Sequence, residues 1–159
     1  MSVNLLTNPG FESGSLSPWA PSAPNVATVV ESNADYTPYS GDYYLDLQTA
    51  VGNRGNTISQ SITNLIPGQN YSVSLQTRTR GEVATANYCS TYVWAGRNAT
   101  SPTGAIASLL DTPNEWTLLE GWYVPKTSSD LLNVVASCTF SGSSYTGHVL
   151  FDEIVFEEV

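Results

Sequence analysis

Ala86-Asn87-Tyr88-Cys89-Ser90-Thr91-Tyr92-Val93-Trp94, read beside residues 131–140 (Leu-Leu-Asn-Val-Val-Ala-Ser-Cys-Thr-Phe), decides the fold class. Successive side chains of a β-strand point to opposite faces, whereas a helix repeats every 3.6 residues. In the second stretch Leu132, Val134, Ala136, Cys138 and Phe140 share one face, which reads as the side turned toward a core. If Cys89 meets Cys138 on that inner side, Asn87, Thr91 and Val93 go inward with it. Tyr88, Ser90, Tyr92 and Trp94 then turn outward, and an exposed row of large rings needs a partner or a purpose.

The same period of two recurs along the chain. It predicts strands at residues 26–31, 43–47, 57–62, 71–79, 86–94, 116–124, 131–140 and 148–156. Turn chemistry separates them: Asn8-Pro9-Gly10, Tyr39-Ser40-Gly41-Asp42, Pro67-Gly68-Gln69-Asn70, Arg80-Gly81-Glu82 and Ser141-Gly142-Ser143. Eight or nine short strands punctuated in this way predict an all-β, two-sheet β-sandwich of jelly-roll type. The chain has 159 residues and no repeat, linker or charge block, so 1–159 reads as a single domain.

Composition narrows the partners. Charged residues make up only 12% of the chain, against about 25% in an ordinary soluble domain. The wet faces of long amphipathic helices are therefore missing. Five Lys and Arg against fourteen Asp and Glu leave a net charge of −9. That argues against a phosphate backbone and against an anionic membrane surface. No apolar run approaches the roughly 20 residues of a membrane helix. Two cysteines in β-patterned stretches, with sequons at Asn70-Tyr-Ser72 and Asn98-Ala-Thr100, favour a disulfide in a secreted chain over free buried thiols. Met1 runs directly into the apolar start of the domain, as in a mature form whose leader is gone.

Catalytic sets are not visible. His148 is the single histidine and no Gly-x-Ser-x-Gly surrounds any serine. Zinc needs clustered His and Cys. A glycosidase needs two opposed carboxylates; Glu82, Asp111, Glu115 and Glu120 are present, but nothing in their spacing puts two across a cleft. The expectation is a domain that is not an enzyme.

A family resemblance rests on an ordered set of short motifs. These are Asn4-Leu-Leu-Thr-Asn-Pro-Gly-Phe-Glu12-Ser-Gly, Trp19, Tyr39-Ser40-Gly41, Leu45, Ile58-Ser-Gln-Ser-Ile62, Pro67-Gly68-Gln-Asn-Tyr71, Glu115-Trp116 and Phe151-Asp152-Glu153-Ile154. In this order and spacing the chain resembles carbohydrate-binding modules of families four, nine and twenty-two, which are galactose-binding-like jelly rolls. The two cysteines resemble those of a fungal secreted subgroup. The resemblance implies a structural calcium ion held by Gly10 and Tyr43 through carbonyls, Glu12 and Asp152 through carboxylates, and Ser40, where some relatives carry a carboxylate instead. Calcium takes six to eight hard oxygen ligands. The plainer alternative makes Glu12 and Asp152 turn and cap residues.

The resemblance also implies glycan binding on a sheet face or at a loop rim. A pyranose offers an apolar C–H face for an aromatic ring and hydroxyls for amide or guanidinium partners. Gln76, Arg78 and Arg80 on one strand, Tyr88, Tyr92 and Trp94 on another, Trp122 with Glu120, and Arg54 in a rim loop supply both. Trp19 and Trp116 occupy framework positions and are expected in the core. The leading expectation is non-catalytic binding of a cell-wall polysaccharide of β-glucan or xylan type, targeting an attached enzyme or surface, by a monomer or a part of a larger secreted chain. Two alternatives stand beside it: a structural or adhesive wall module without sugar affinity, and a hydrolase or lyase on the same scaffold.

Overall fold

The computed structural model describes residues 3–52, 54–80, 86–96, 104–140 and 145–159, with Ala86 and Asn87 described for backbone only. Among them run ten strands: β1 (Ala20–Pro21), β2 (Ala27–Glu31), β3 (Tyr43–Gln48), β4 (Asn56–Ile62), β5 (Tyr71–Thr79), β6 (Ala86–Ala95), β7 (Ala107–Leu109), β8 (Thr117–Tyr123), β9 (Asp130–Phe140) and β10 (His148–Glu158). They form two five-stranded antiparallel sheets. The front sheet has the order β1-β4-β9-β6-β7 and the back sheet the order β2-β3-β10-β5-β8. Packed face to face, they make the expected jelly-roll sandwich. All eight expected strands are found, most within a residue or two. The short β1 and β7 were not anticipated, because two or three residues carry no readable alternation and β1 contains a proline.

Alternation builds the core. From the back sheet, Leu45, Leu47, Val73, Leu75, Phe151 and Phe156 point inward; from the front sheet, Ile58, Ile62, Val93, Leu132, Val134 and Ala136 meet them. Burying one such side chain contributes about 1.5–3 kcal/mol. A chain of buried hydroxyls, Thr77 to Thr91 at 3.4 Å and Thr91 to Thr112 at 3.1 Å, joins β5 to β6 through this interior. Cys89 and Cys138 face each other across β6 and β9 and are bonded, both within the core. Their inward position sets the direction of the side chains from Tyr88 to Trp94.

Several motif residues are framework clamps. Asn4 donates its side-chain amide to the Ile154 carbonyl and accepts the Phe156 N–H, both at 3.0 Å, which lays the N-terminal segment along β10. Gln60 does the same for Thr7 through bonds of 2.7 and 2.9 Å. Trp19 is buried on Phe11 and donates its indole N–H to the Asn8 carbonyl at 3.0 Å.

Candidate functional site: the open face of the front sheet

The two outer faces of the sandwich differ. Across the back sheet lies the loop between β2 and β3. Tyr36 lies under the Arg78 guanidinium at 5.2 Å. The Thr37 carbonyl accepts the Trp116 indole N–H at 3.0 Å, and the Ser40 N–H reaches Asp152 at 3.0 Å. Beneath this cover Tyr44, Leu150 and Asp152 are buried although their strand positions turn them away from the main core. The expectation of a core Trp116 is met only in this sense: it is half-buried, edge-on to Tyr44 in a small second cluster.

The front sheet presents Tyr88, Tyr92 and Trp94 on its outer face. Tyr88 is 43% exposed and the other two are half-buried. Ser90, on the same face, is buried and donates its hydroxyl to the Leu110 carbonyl at 2.6 Å, so it holds a loop instead of offering a contact. In register beside the rings on β9 lie Thr139, Ser137, Val135 and Asn133, and beyond them on β4 lie Thr57 and Ser59. Val135 is only 7% exposed yet is no member of the main core cluster. Tyr92 on β6 and Thr57 on β4 stand in register on either side of it. The Asn133 amide donates to the Gly96 and Leu131 carbonyls, bracing the end of β6 beside Trp94. The Trp94 indole N–H is shielded from solvent and has no hydrogen-bond partner.

Arg54 stands at the rim of this face. Its loop closes through a bridge between Ala50 and Arg54, and its Nε donates to the Val51 carbonyl at 3.2 Å. The following Gly55 lies so close to β9 that a Cβ would fall 2.7 Å from the Ala136 carbonyl oxygen and 3.2 Å from Val135.

The expected single platform is therefore corrected. Tyr88, Tyr92 and Trp94 share the front face, with Arg54 in the loop that leads into β4 of the same sheet, but Gln76 and Arg78 lie on β5 and Trp122 on β8, both in the back sheet. Arg78 is tied down by Tyr36 and by Asn114, whose Oδ1 accepts Nη2 at 2.8 Å. Arg80, in turn, pairs with the buried Asp46 at 3.0 Å. Alternation assigns a side chain to a face of its own strand; it is silent on which sheet the strand joins.

The residues expected at a calcium site do converge. Gly10 is buried, and at the place of its missing Cβ, Glu153 Oε1 stands 3.0 Å away and Asp152 Oδ1 3.6 Å away, with Glu12 Cγ at 3.7 Å. Glu12 accepts the Asp42 N–H at 2.9 Å and the Tyr43 N–H at 3.4 Å. Asp152 accepts the N–H groups of Ser40 and Glu153 at 3.0 and 2.9 Å. Burial above all, with repulsion from Glu153 and Glu12, pushes the Asp152 carboxyl up to about 6 against those two donors. Carboxylates gathered without a basic neighbour are the donor chemistry of a hard cation. Ser40 and Tyr43, however, turn amide N–H groups toward the carboxylates, and no three acidic, His or Cys side chains among the described residues close into a metal-binding group. Glu153, at φ 49°, is the participant that the sequence reading missed.

Among the described residues no nucleophile is bonded to the histidine. His148 Nδ1 lies 2.6 Å from Asp46 Oδ1, and no serine hydroxyl bonds to it among the described residues. Of the four carboxylates considered for hydrolysis, Glu82 lies outside the described residues, and so does the sequon at Asn98. No helix among the described residues is long and apolar enough to cross a membrane.

Comparison with known proteins agrees with this geometry. A family model described as a carbohydrate binding domain matches residues 3–137. No curated protein matches the chain. Among solved structures, a module of family 61 from a complex with β-1,4-galactotriose superposes with a TM-score of 0.69 at 19% identity, covering 99% of both chains. The CBM22-1 xylan-binding domain of Paenibacillus barcinonensis Xyn10C gives 0.62 at 19% identity, over 100% of this chain and 93% of that one. A cyclase from Fischerella sp. TAU gives 0.71 at 13% identity, over 100% and 98%. At such identities these likenesses establish the fold alone, and the cyclase shows that the same sandwich also serves catalysis.

Proposed function

Since the chain belongs to the carbohydrate binding domain family, we propose that it binds a neutral cell-wall polysaccharide of β-glucan or xylan type on the open face of its front sheet and performs no chemistry on it. The observation that carries this reading is the row Tyr88, Tyr92, Trp94 on the outer face of the front sheet, which the loop between β2 and β3 does not cross. Tyr88 is the most exposed of the three, and Gly104 lies against the far edge of the Trp94 indole. An aromatic ring offers a flat apolar surface to the C–H face of a sugar. Ser137, Thr57, Ser59 and the Arg54 guanidinium supply hydroxyl partners around it. Placing the rings on a strand braced by a core disulfide keeps them preorganised, so little ordering entropy opposes binding.

The secreted setting, and the attachment of this domain to an enzyme or surface that it brings to its polysaccharide, belong to the same proposal. The acidic group at Gly10 is its structural counterpart: Glu12, Asp152 and Glu153 would hold a calcium ion, which would neutralise their mutual repulsion and tie the N-terminal turn, the 40–43 turn and β10 together.

Titration of soluble β-glucan and xylan onto the wild-type domain and onto Tyr92→Ala and Trp94→Ala tests the binding face. Loss of affinity by tenfold or more in either variant supports it. Unchanged affinity in both removes this face from consideration.

A further inference from the structure

We infer that Trp122 forms a second saccharide site on the back sheet, so that one domain bridges two polysaccharide chains. The inference rests on the glycan-binding reading of the front face and goes beyond it.

Trp122 is 62% exposed on β8, at the edge of the back sheet. Its strand is held rigidly. Tyr123 packs on Phe156 and hydrogen-bonds Asp130, Leu119 is in the core, and Gly121 abuts the Ile106 carbonyl. The indole thus projects from a strand that is packed against the core. It lies on the half of the back sheet that the loop between β2 and β3 leaves open, since that loop's contacts are with Arg78, Trp116 and Asp152.

The surroundings suit a neutral polyol. Ser72 stands in register with Trp122, and Ser74 with Glu120; Glu157 lies beyond Ser72 on β10. Neighbouring strands are about 4.8 Å apart and same-face residues roughly 6.6 Å apart along a strand, which puts these polar groups within about 10 Å of the indole. Glu120 and Glu157 make no hydrogen bond or ion pair among the described residues, so both carboxylates remain free to accept sugar hydroxyls. Charge narrows the class. Two carboxylates beside the ring, in a chain of net charge −9, repel uronates and nucleic acid and leave neutral glycans as the ligand that fits.

The site is separate from the front face. Tyr88, Tyr92 and Trp94 project from the opposite side of the sandwich, with two sheets and the core between, so one sugar chain lying on the front face does not reach Trp122. Occupation of both faces joins two chains.

Calorimetric titration with cellohexaose and xylohexaose, together with turbidity of long soluble β-glucan and xylan, tests this. For the oligosaccharide that binds, two molecules per wild-type domain are expected, falling to one in Trp122→Ala with loss of turbidity; Trp122→Phe, which keeps a ring, restores both. Circular dichroism melts confirm that each variant is folded. A stoichiometry of one that Tyr92→Ala abolishes and Trp122→Ala leaves intact overturns the second site while the front face stands. A stoichiometry of one lost only in Trp122→Ala overturns the front face and the bridging together. Absence of binding by the wild-type domain overturns both.

Discussion

Gly41 and Glu12 meet at a distance that admits no side chain: a Cβ on Gly41 would fall 1.8 Å from Glu12 Oε1. The Glu12 carboxylate lies across the 40–43 turn to accept its amide N–H groups, and Gly41 itself sits at φ 69°. Gly41→Ala therefore has to strain the backbone and expel the carboxylate at once. A loss of more than about 1 kcal/mol is expected, read as a lower urea midpoint at unchanged slope. A midpoint equal to wild type would show that the turn and Glu12 are not coupled.

The same turn is the place to look for calcium. A ligand bound only by the folded state stabilises it by about 2.7 kcal/mol at a free concentration one hundred times its Kd. Addition of calcium is expected to raise the melting temperature and excess chelator to lower it. Asp152→Asn, which removes the buried charge, should abolish the calcium-dependent part. A wild-type melt indifferent to both chelator and millimolar calcium leaves Glu12 and Asp152 as hydrogen-bonding turn residues only.

The parts of this molecule that sequence made legible are those governed by strand parity. Cys89 inward and Tyr88, Tyr92 and Trp94 outward follow from a period of two and one assumption about the cysteines, and the structure places them so. Parity has no access to partner choice. Gln76 and Arg78 share their outer face with Trp122, not with Trp94, because β5 pairs with β8 and β10 and not with β6. Nor does it reveal cover: the loop that folds over Arg78 is built from Tyr36, Thr37 and Ser40, whose long-range contacts leave no local pattern. Glu153 was missed for a related reason. It sits in the irregularity of β10 between Asp152 and Val155, where alternation fails and a left-handed residue redirects the chain.

Alkaline pH addresses a different pair. Burial, then the hydrogen bond to Asp130 and its charge, push the Tyr123 phenol up to about 12 from its usual 10. The folded state thus holds the phenolic proton more tightly than the unfolded chain does. The corresponding stability is fully present below pH 10 and is lost as pH rises toward 12. Urea midpoints of wild type are expected to fall through that window more steeply than those of Tyr123→Phe, which has no phenol to ionise. Parallel curves for the two proteins would remove Tyr123 as the group responsible.

Gly121 links the two sheets at their shared edge and so bears on the binding face. A Cβ there would fall 1.9 Å from the Ile106 carbonyl oxygen and 2.9 Å from Ala107 Cβ, an overlap that only backbone movement relieves. Ile106 leads into β7, which pairs with β6 and sets Ser108 opposite Tyr92. Overpacking of this kind typically costs about 1–3 kcal/mol. Gly121→Ala is therefore expected to destabilise the fold by that amount and to loosen β7, seen as faster amide exchange at Ala107–Leu109 than at β9. Because Tyr92 would lose the strand beside it while keeping its own ring, glycan affinity should also weaken at temperatures where the variant is still folded. Wild-type exchange in β7 together with wild-type affinity would mean that the front face takes its rigidity from β9 alone.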